Sequence, residues 1–109
     1  MSVTLFGIPT CDTCRKARRA LEGAGHTVTF RDVRAEPLTA QDWAEMVAAL
    51  GAGVVNRRAP SFRALDPAVQ AADPVDLLVA APVVMKRPVI RAGDAWHLGW
   101  GPQVQAALT

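Results

Sequence analysis

Apolar and polar positions follow two different periods along this chain, and the changes of period mark its elements. Val3-Thr4-Leu5-Phe6 is a short run of β-forming residues ended by Gly7 and Pro9, which predicts a first strand. From Cys14 the small and apolar positions recur at Ala17, Leu21 and Ala24, with Arg15, Lys16, Arg18, Arg19 and Glu22 on the other side. That spacing predicts an amphipathic helix, stopped by Gly23 and Gly25. His26 to Val33 alternates again, with Val28 and Phe30 on one face and Thr27, Thr29 and Arg31 on the other, which predicts a second strand. A β-α-β unit of this kind implies parallel strands joined by a right-handed crossover.

The period then changes for some forty-five residues. Glu36-Pro37-Leu38 is a linker, and Thr39 with Asp42 three positions on is a capping arrangement for a second helix. In that helix Trp43, Met46, Val47 and Leu50 fall at i, i+3, i+4 and i+7, a core stripe that Gly51 ends. Asp66-Pro67 and Asp73-Pro74 each set a capping residue before proline, predicting short helices at about 67–71 and 74–81. Residues 38–82 are thus expected to be a helical block that interrupts a single domain, 1–109. After Pro82, Val83-Val84-Met85 returns to β character, and residues 88–98 read as a hairpin turning at Gly93-Asp94. Gly101-Pro102 opens a last helix from Gln103 to Ala107. The order β-α-β, helical block, β-β-α predicts an α/β fold with a thioredoxin-like core and an insertion.

Composition narrows the class. Half of the 109 residues are hydrophobic, enough for a real core and against disorder. No apolar run approaches the roughly 18 residues that span a bilayer, and the first residues lack the basic and apolar regions of a signal peptide. A cytoplasmic protein with no membrane partner is expected, in a compartment where thiols stay reduced and a disulfide is transient. The formal charge of +2 is too small by itself to indicate direct nucleic-acid binding. Ten of the twelve basic residues are arginine, which fits either oxyanion and carboxylate recognition or a biased base composition.

Both cysteines lie in Gly7-Ile8-Pro9-Thr10-Cys11-Asp12-Thr13-Cys14-Arg15-Lys16-Ala17, between the first strand and the first helix. A thiol attacks as the thiolate, and free N–H groups at a helix start and nearby cations both favour that form. Cys11 is therefore the candidate nucleophile. Cys14 is the candidate resolver, able to attack a mixed disulfide formed at Cys11 and release the reduced product. A structural zinc site needs four ligands, and no second cysteine pair follows; His26 and His97 have no metal-like spacing. A purely packing role for the pair sits poorly with the polar Asp12-Thr13 between them. Asp12 favours the helix and opposes the thiolate, so the net shift at Cys11 has no sign from sequence. Arg57 and Arg58 are candidates to face an anionic substrate, against the alternative of a solvated patch. His97 reads as an ordinary strand residue, and Trp96 and Trp100 as core under the final helix.

The cysteine turn, followed by Arg58 with Phe62 and Leu65, then Lys86-Arg87-Pro88 and Leu98-Gly99-Trp100, resembles the ArsC/Spx family of thioredoxin-fold proteins over essentially the full length. The pattern is most similar to the YffB-like branch of glutathione-dependent thiol reductases. That resemblance implies Cys11 as nucleophile, Arg87 lining its pocket and Pro88 as a cis-proline facing the thiol; Thr10, Arg57, Arg58 and Pro88 are the substrate-binding candidates. It implies no bound cofactor, with glutathione or a small oxidised molecule as the partner in the reaction. The family's arsenate reductases use three arginines around the oxyanion. Here Arg87 matches one, while Asn56 and Gly99 stand where the others are expected, which argues against arsenate reduction. Cys14 is shared with Spx-type regulators, where it forms a redox switch, so two readings stay open. One is a cytoplasmic thiol oxidoreductase; the other is a Spx-like regulator that binds RNA polymerase through the C-terminal domain of its α-subunit.

Overall fold

The computed structural model describes residues 1–109. Strand β1 (Ser2–Gly7) pairs in parallel with β2 (Thr27–Asp32), Leu5 opposite Phe30, and antiparallel with β3 (Val89–Ala92), Leu5 opposite Ile90. Strand β4 (Ala95–Leu98) closes the hairpin with β3, and the four-stranded order is β2-β1-β3-β4. The alternation seen in the sequence has its physical reason here. Side chains alternate across a strand, so Val3, Leu5 and Ile90 point to one face and Phe6 to the other. On the first face they pack with Cys14, Ala17 and Leu21 of helix α1 (Asp12–Gly23), with Leu108 completing the cluster. Cys14, Ala17 and Leu21 fall at i, i+3 and i+7, one stripe of a helix.

The chain divides into two compact units, one of Met1–Val33 with Arg87–Thr109 and one of Arg34–Lys86. The first holds the sheet, α1 and the C-terminal helix, Pro102–Leu108. The ring Nε2 of His26 lies 2.6 Å from the Leu108 carbonyl, tying the end of that helix to the entrance of β2. Trp100 and Val104 pack against the core beneath it. Trp96 does not, contrary to the sequence expectation. It stacks on Phe6, ring centroids 5.9 Å apart and nearly parallel, on the opposite face of the sheet. The two-residue period puts Trp96 in register with Arg91, whose guanidinium covers the ring at 5.0 Å.

The second unit is made of short helices with explicit start signals. Helix α2 (Ala40–Leu50) opens on a capping box: Thr39 Oγ1 accepts from the Asp42 N–H, and the Asp42 carboxylate accepts from the Thr39 N–H, both at 3.1 Å. Trp43 and Met46 of its stripe are fully buried. Three shorter helices follow, α3 (Pro60–Arg63), α4 (Pro67–Gln70) and α5 (Pro74–Ala80), each with proline in its first turn. Asp73 caps α5 through the Asp76 N–H, but the Asp66 side chain makes no such bond to α4, and only its carbonyl accepts from Val69 and Gln70. Val83-Val84-Met85 is not a strand. Pro82–Val84 is a 3₁₀ turn closed by local bonds, after which Met85 makes a single antiparallel bridge with Val55. Proline at the first position favours the turn locally, which overrides the β preference of the two valines.

Candidate active site

Cys11 and Cys14 occupy two defined positions of one helix start. Cys11 is the N-cap of α1, in extended conformation, and its Sγ accepts from the Cys14 N–H at 3.5 Å, as a capping serine or aspartate would. The Cys11 N–H is itself held by the Ile8 carbonyl at 3.1 Å, closing the turn that follows β1. Cys14 stands one turn in, on the core side of the helix, and is completely buried, whereas Cys11 is half-exposed. Both are free thiols.

These surroundings drive the two thiols in opposite directions. Partial burial raises the pKa of Cys11, but the N–H and S–H of Cys14, the charge of Arg87 and the N–H of Thr13 together outweigh it, and the thiol lies below its ordinary value. Burial dominates at Cys14 and pushes it up to about 12. The Ile8 N–H and Arg87 oppose that rise, while the Cys11 sulfur, as hydrogen-bond acceptor and as neighbouring charge, adds to it. Of the two thiols, Cys11 is therefore the one that gives up its proton first, and Cys14 the one that holds it. Asp12, whose charge opposes a thiolate, is engaged by Arg15 at 2.7 Å, so much of its field is cancelled locally. The sign that the sequence left open at Cys11 is downward.

Arg87 reaches this site from the far end of the chain, because β3 lies antiparallel to β1 and begins just after it. The Arg87–Pro88 peptide bond is cis, and Pro88 is buried, its carbonyl accepting from the Gly99 N–H at 2.8 Å. Thr10 is exposed, immediately before the nucleophile position. Thus Thr10, Cys11, Cys14, Arg87 and Pro88 belong to the sheet unit. Arg57 and Arg58 belong to the helical unit, where with Asn56 and Lys86 they line a cleft beside Ala52–Val55. Arg57 lies over the Phe62 ring at 5.3 Å and donates to the Gln70 carbonyl, and the Arg58 N–H donates to Asn56 Oδ1. Asn56, standing where an oxyanion arginine was expected, serves its own turn. The backbone donors of Ile8 and Thr13 carried no signal in the sequence beyond their place beside the cysteines. No cluster of three or more His, Cys, Asp or Glu side chains is arranged to hold a metal ion, and no helix is long and apolar enough to cross a membrane.

The global transcriptional regulator Spx of Streptococcus pyogenes is 29% identical over 98% of this chain and 85% of its own length. Spx 1 of Oceanobacillus iheyensis is 30% identical over 90% and 79%. Among solved structures, the YffB protein superposes with a TM-score of 0.88 at 33% identity, covering 97% of each chain. An arsenate reductase (ArsC) related protein from Brucella melitensis does so with a TM-score of 0.75 at 35% identity, covering 98% of this chain and 93% of its own. The fold is that of the thioredoxin-like ArsC structures, and with the ArsC family profile matching residues 6–107, the chain belongs to the ArsC family.

Proposed function

We propose that the protein is a cytoplasmic thiol–disulfide oxidoreductase in which Cys11 attacks and Cys14 resolves. The observation that carries this reading is the opposite bias of two thiols on one helix turn, Cys11 toward thiolate and Cys14 toward the protonated form. The Cys11 thiolate attacks one sulfur of a disulfide RSSR, forming the mixed disulfide Cys11–S–SR and releasing RS⁻. Cys14 then gives up its proton and attacks the Cys11 sulfur, closing a Cys11–Cys14 disulfide and releasing the second RS⁻. Two electrons pass from the cysteines to the substrate. Two molecules of an external thiol, glutathione in this proposal, return them and leave as its disulfide.

In this scheme Arg87 stabilises the thiolate, Thr10 and Pro88 border the approach to it, and Arg57 and Arg58 bind the carboxylates of an anionic substrate. Arg58 is favoured of the two in this scheme, because the Arg57 guanidinium is already stacked and hydrogen-bonded within its own unit. The likeness to Spx, a global transcriptional regulator, favours a second reading: a redox-sensing regulator that switches on Cys11–Cys14 disulfide formation and, in this proposal, binds the C-terminal domain of the α-subunit of RNA polymerase. A coupled assay with hydroxyethyl disulfide and glutathione, beside a pulldown with that domain, separates the two. Turnover that disappears in Cys11→Ser supports the enzyme. Oxidation-dependent capture without turnover replaces it with the regulator.

A further inference from the structure

The last residue of β1 is Gly7, and its backbone runs directly against the Cys14 side chain. A Cβ built on Gly7 lies 2.5 Å from Cys14 Sγ, a distance that carbon and sulfur cannot share, and 3.3 Å and 3.4 Å from Cys14 Cβ and Leu5 Cδ2. Gly7 has no positive φ, so conformational freedom does not explain a glycine here. Nor does that segment have room to move. The Gly7 carbonyl holds the Val33 N–H at 3.0 Å, and Gly7 is paired with Asp32 in the sheet register. The sulfur cannot retreat easily either, because Cys14 belongs to the packed cluster of Val3, Leu5, Ala17, Leu21, Ile90 and Leu108. Of the chain's other glycines, none has anything within 4 Å of such a Cβ.

We propose that Gly7 is a positioning residue for the thiol pair. The missing side chain makes the seat of the Cys14 sulfur, from which that sulfur offers its S–H to Cys11 and later attacks it. This deepens the oxidoreductase reading. A methyl group at position 7 drives Sγ off the strand end by roughly an ångström, the gap between 2.5 Å and the roughly 3.5 Å of ordinary non-bonded contact. Cys11 then loses a hydrogen bond that favours its thiolate, and the resolving attack loses its alignment.

The test is a double-mutant cycle on the full chain using Gly7→Ala, Cys14→Ala and the pair. Cys11 alkylation by iodoacetamide is followed against pH, and closure of the Cys11–Cys14 disulfide by oxidised glutathione is followed by mass. Gly7→Ala should move the Cys11 curve to higher pH and slow ring closure by at least about tenfold, the effect of a misplacement near 1 Å being as much as 10²-fold. In the Cys14→Ala background, where no sulfur fills the seat, Gly7→Ala should leave the Cys11 curve in place. A Gly7→Ala curve that stays put or moves down overturns the proposal, as does the same upward move with and without the Cys14 sulfur. Should Gly7→Ala fail to fold, recovery of the fold in the double variant supports the sulfur clash, and failure of both rejects it. If the wild-type protein reduces no disulfide, the oxidoreductase reading fails, yet the alkylation cycle still judges Gly7.

Discussion

In the sheet unit, the groups around Cys11 join chain neighbours, Ile8 just after β1 and Thr13 and Cys14 at the helix start, to one from far along the chain, Arg87, the residue before cis-Pro88. In the helical unit, the groups around the Arg57–Arg58 cleft are held mostly by near neighbours. Arg57 rests on Phe62 and Gln70, five and thirteen positions on, and Arg58 on Asn56, two positions back. Thiolate formation depends on a balance of burial against several donors, which only a packed ladder can hold in place. Presenting positive charge to water needs no such precision. Sheet pairing therefore brings a distant cation to the thiols in one unit, and local hydrogen bonding and stacking support the charge in the other.

The largest effect that tests this contrast is on the thiol itself. Cys11→Ser should abolish disulfide exchange within detection, because a hydroxyl near neutral pH is a negligible nucleophile where a thiolate is a strong one. Turnover retained in that variant would place the chemistry elsewhere. Next comes the sheet unit's dependence on distant contacts. Leu5→Ala, fully buried between Ile90 and helix α1, should destabilise by about 2–5 kcal/mol, read as a lower denaturation midpoint. A change under about 1 kcal/mol would mean the ladder does not depend on that contact.

Cys14 should also give the protein an alkaline weakness. Its pKa stands at about 12 in the folded state, against about 8.5 in an unfolded chain. The folded protein thus holds the proton more tightly, a contribution present in full below about pH 8.5 and lost as pH rises toward 12, at up to about 1.4 kcal/mol per pH unit. Cys14→Ala should flatten that slope in urea titrations between pH 8 and 10. Cys11 has the opposite sign, since its lowered pKa adds stability above about pH 8.5 that fades as pH falls. The smallest effect belongs to the locally built unit. Thr39→Ala removes one half of the α2 capping box and should cost about 0.5–2 kcal/mol, without moving the Cys11 alkylation curve. A larger loss, or a moved curve, would show that the cap supports more than its own helix.

Much of this was legible before the structure because it is written in local signals. The period-2 runs marked β1, β2 and the hairpin, the i, i+3, i+4, i+7 stripe marked α2, and Thr39 with Asp42 announced their capping box. Aspartate before proline was an incomplete guide: Asp73 caps its helix, whereas Asp66 only marks a boundary. The short helix at Pro60–Arg63 escaped notice because four residues are too few for a period to show.

The sequence by itself determined most of the elements, their order and the cysteine turn, since each rests on residues close together in the chain, and it showed the family through short motifs that recur in order along its length. Tertiary structure alone decided the balance at the site. Whether Asp12 or the helix start prevails at Cys11, which thiol keeps its proton, and that Trp96 stacks on Phe6 away from the final helix all depend on register and burial. A shift of one residue in a strand exchanges its two faces, and burial of a thiol depends on what packs over it. Neither is encoded at any single position, and Gly7 is the clearest case: its role exists only because the Cys14 sulfur lies where its side chain would be.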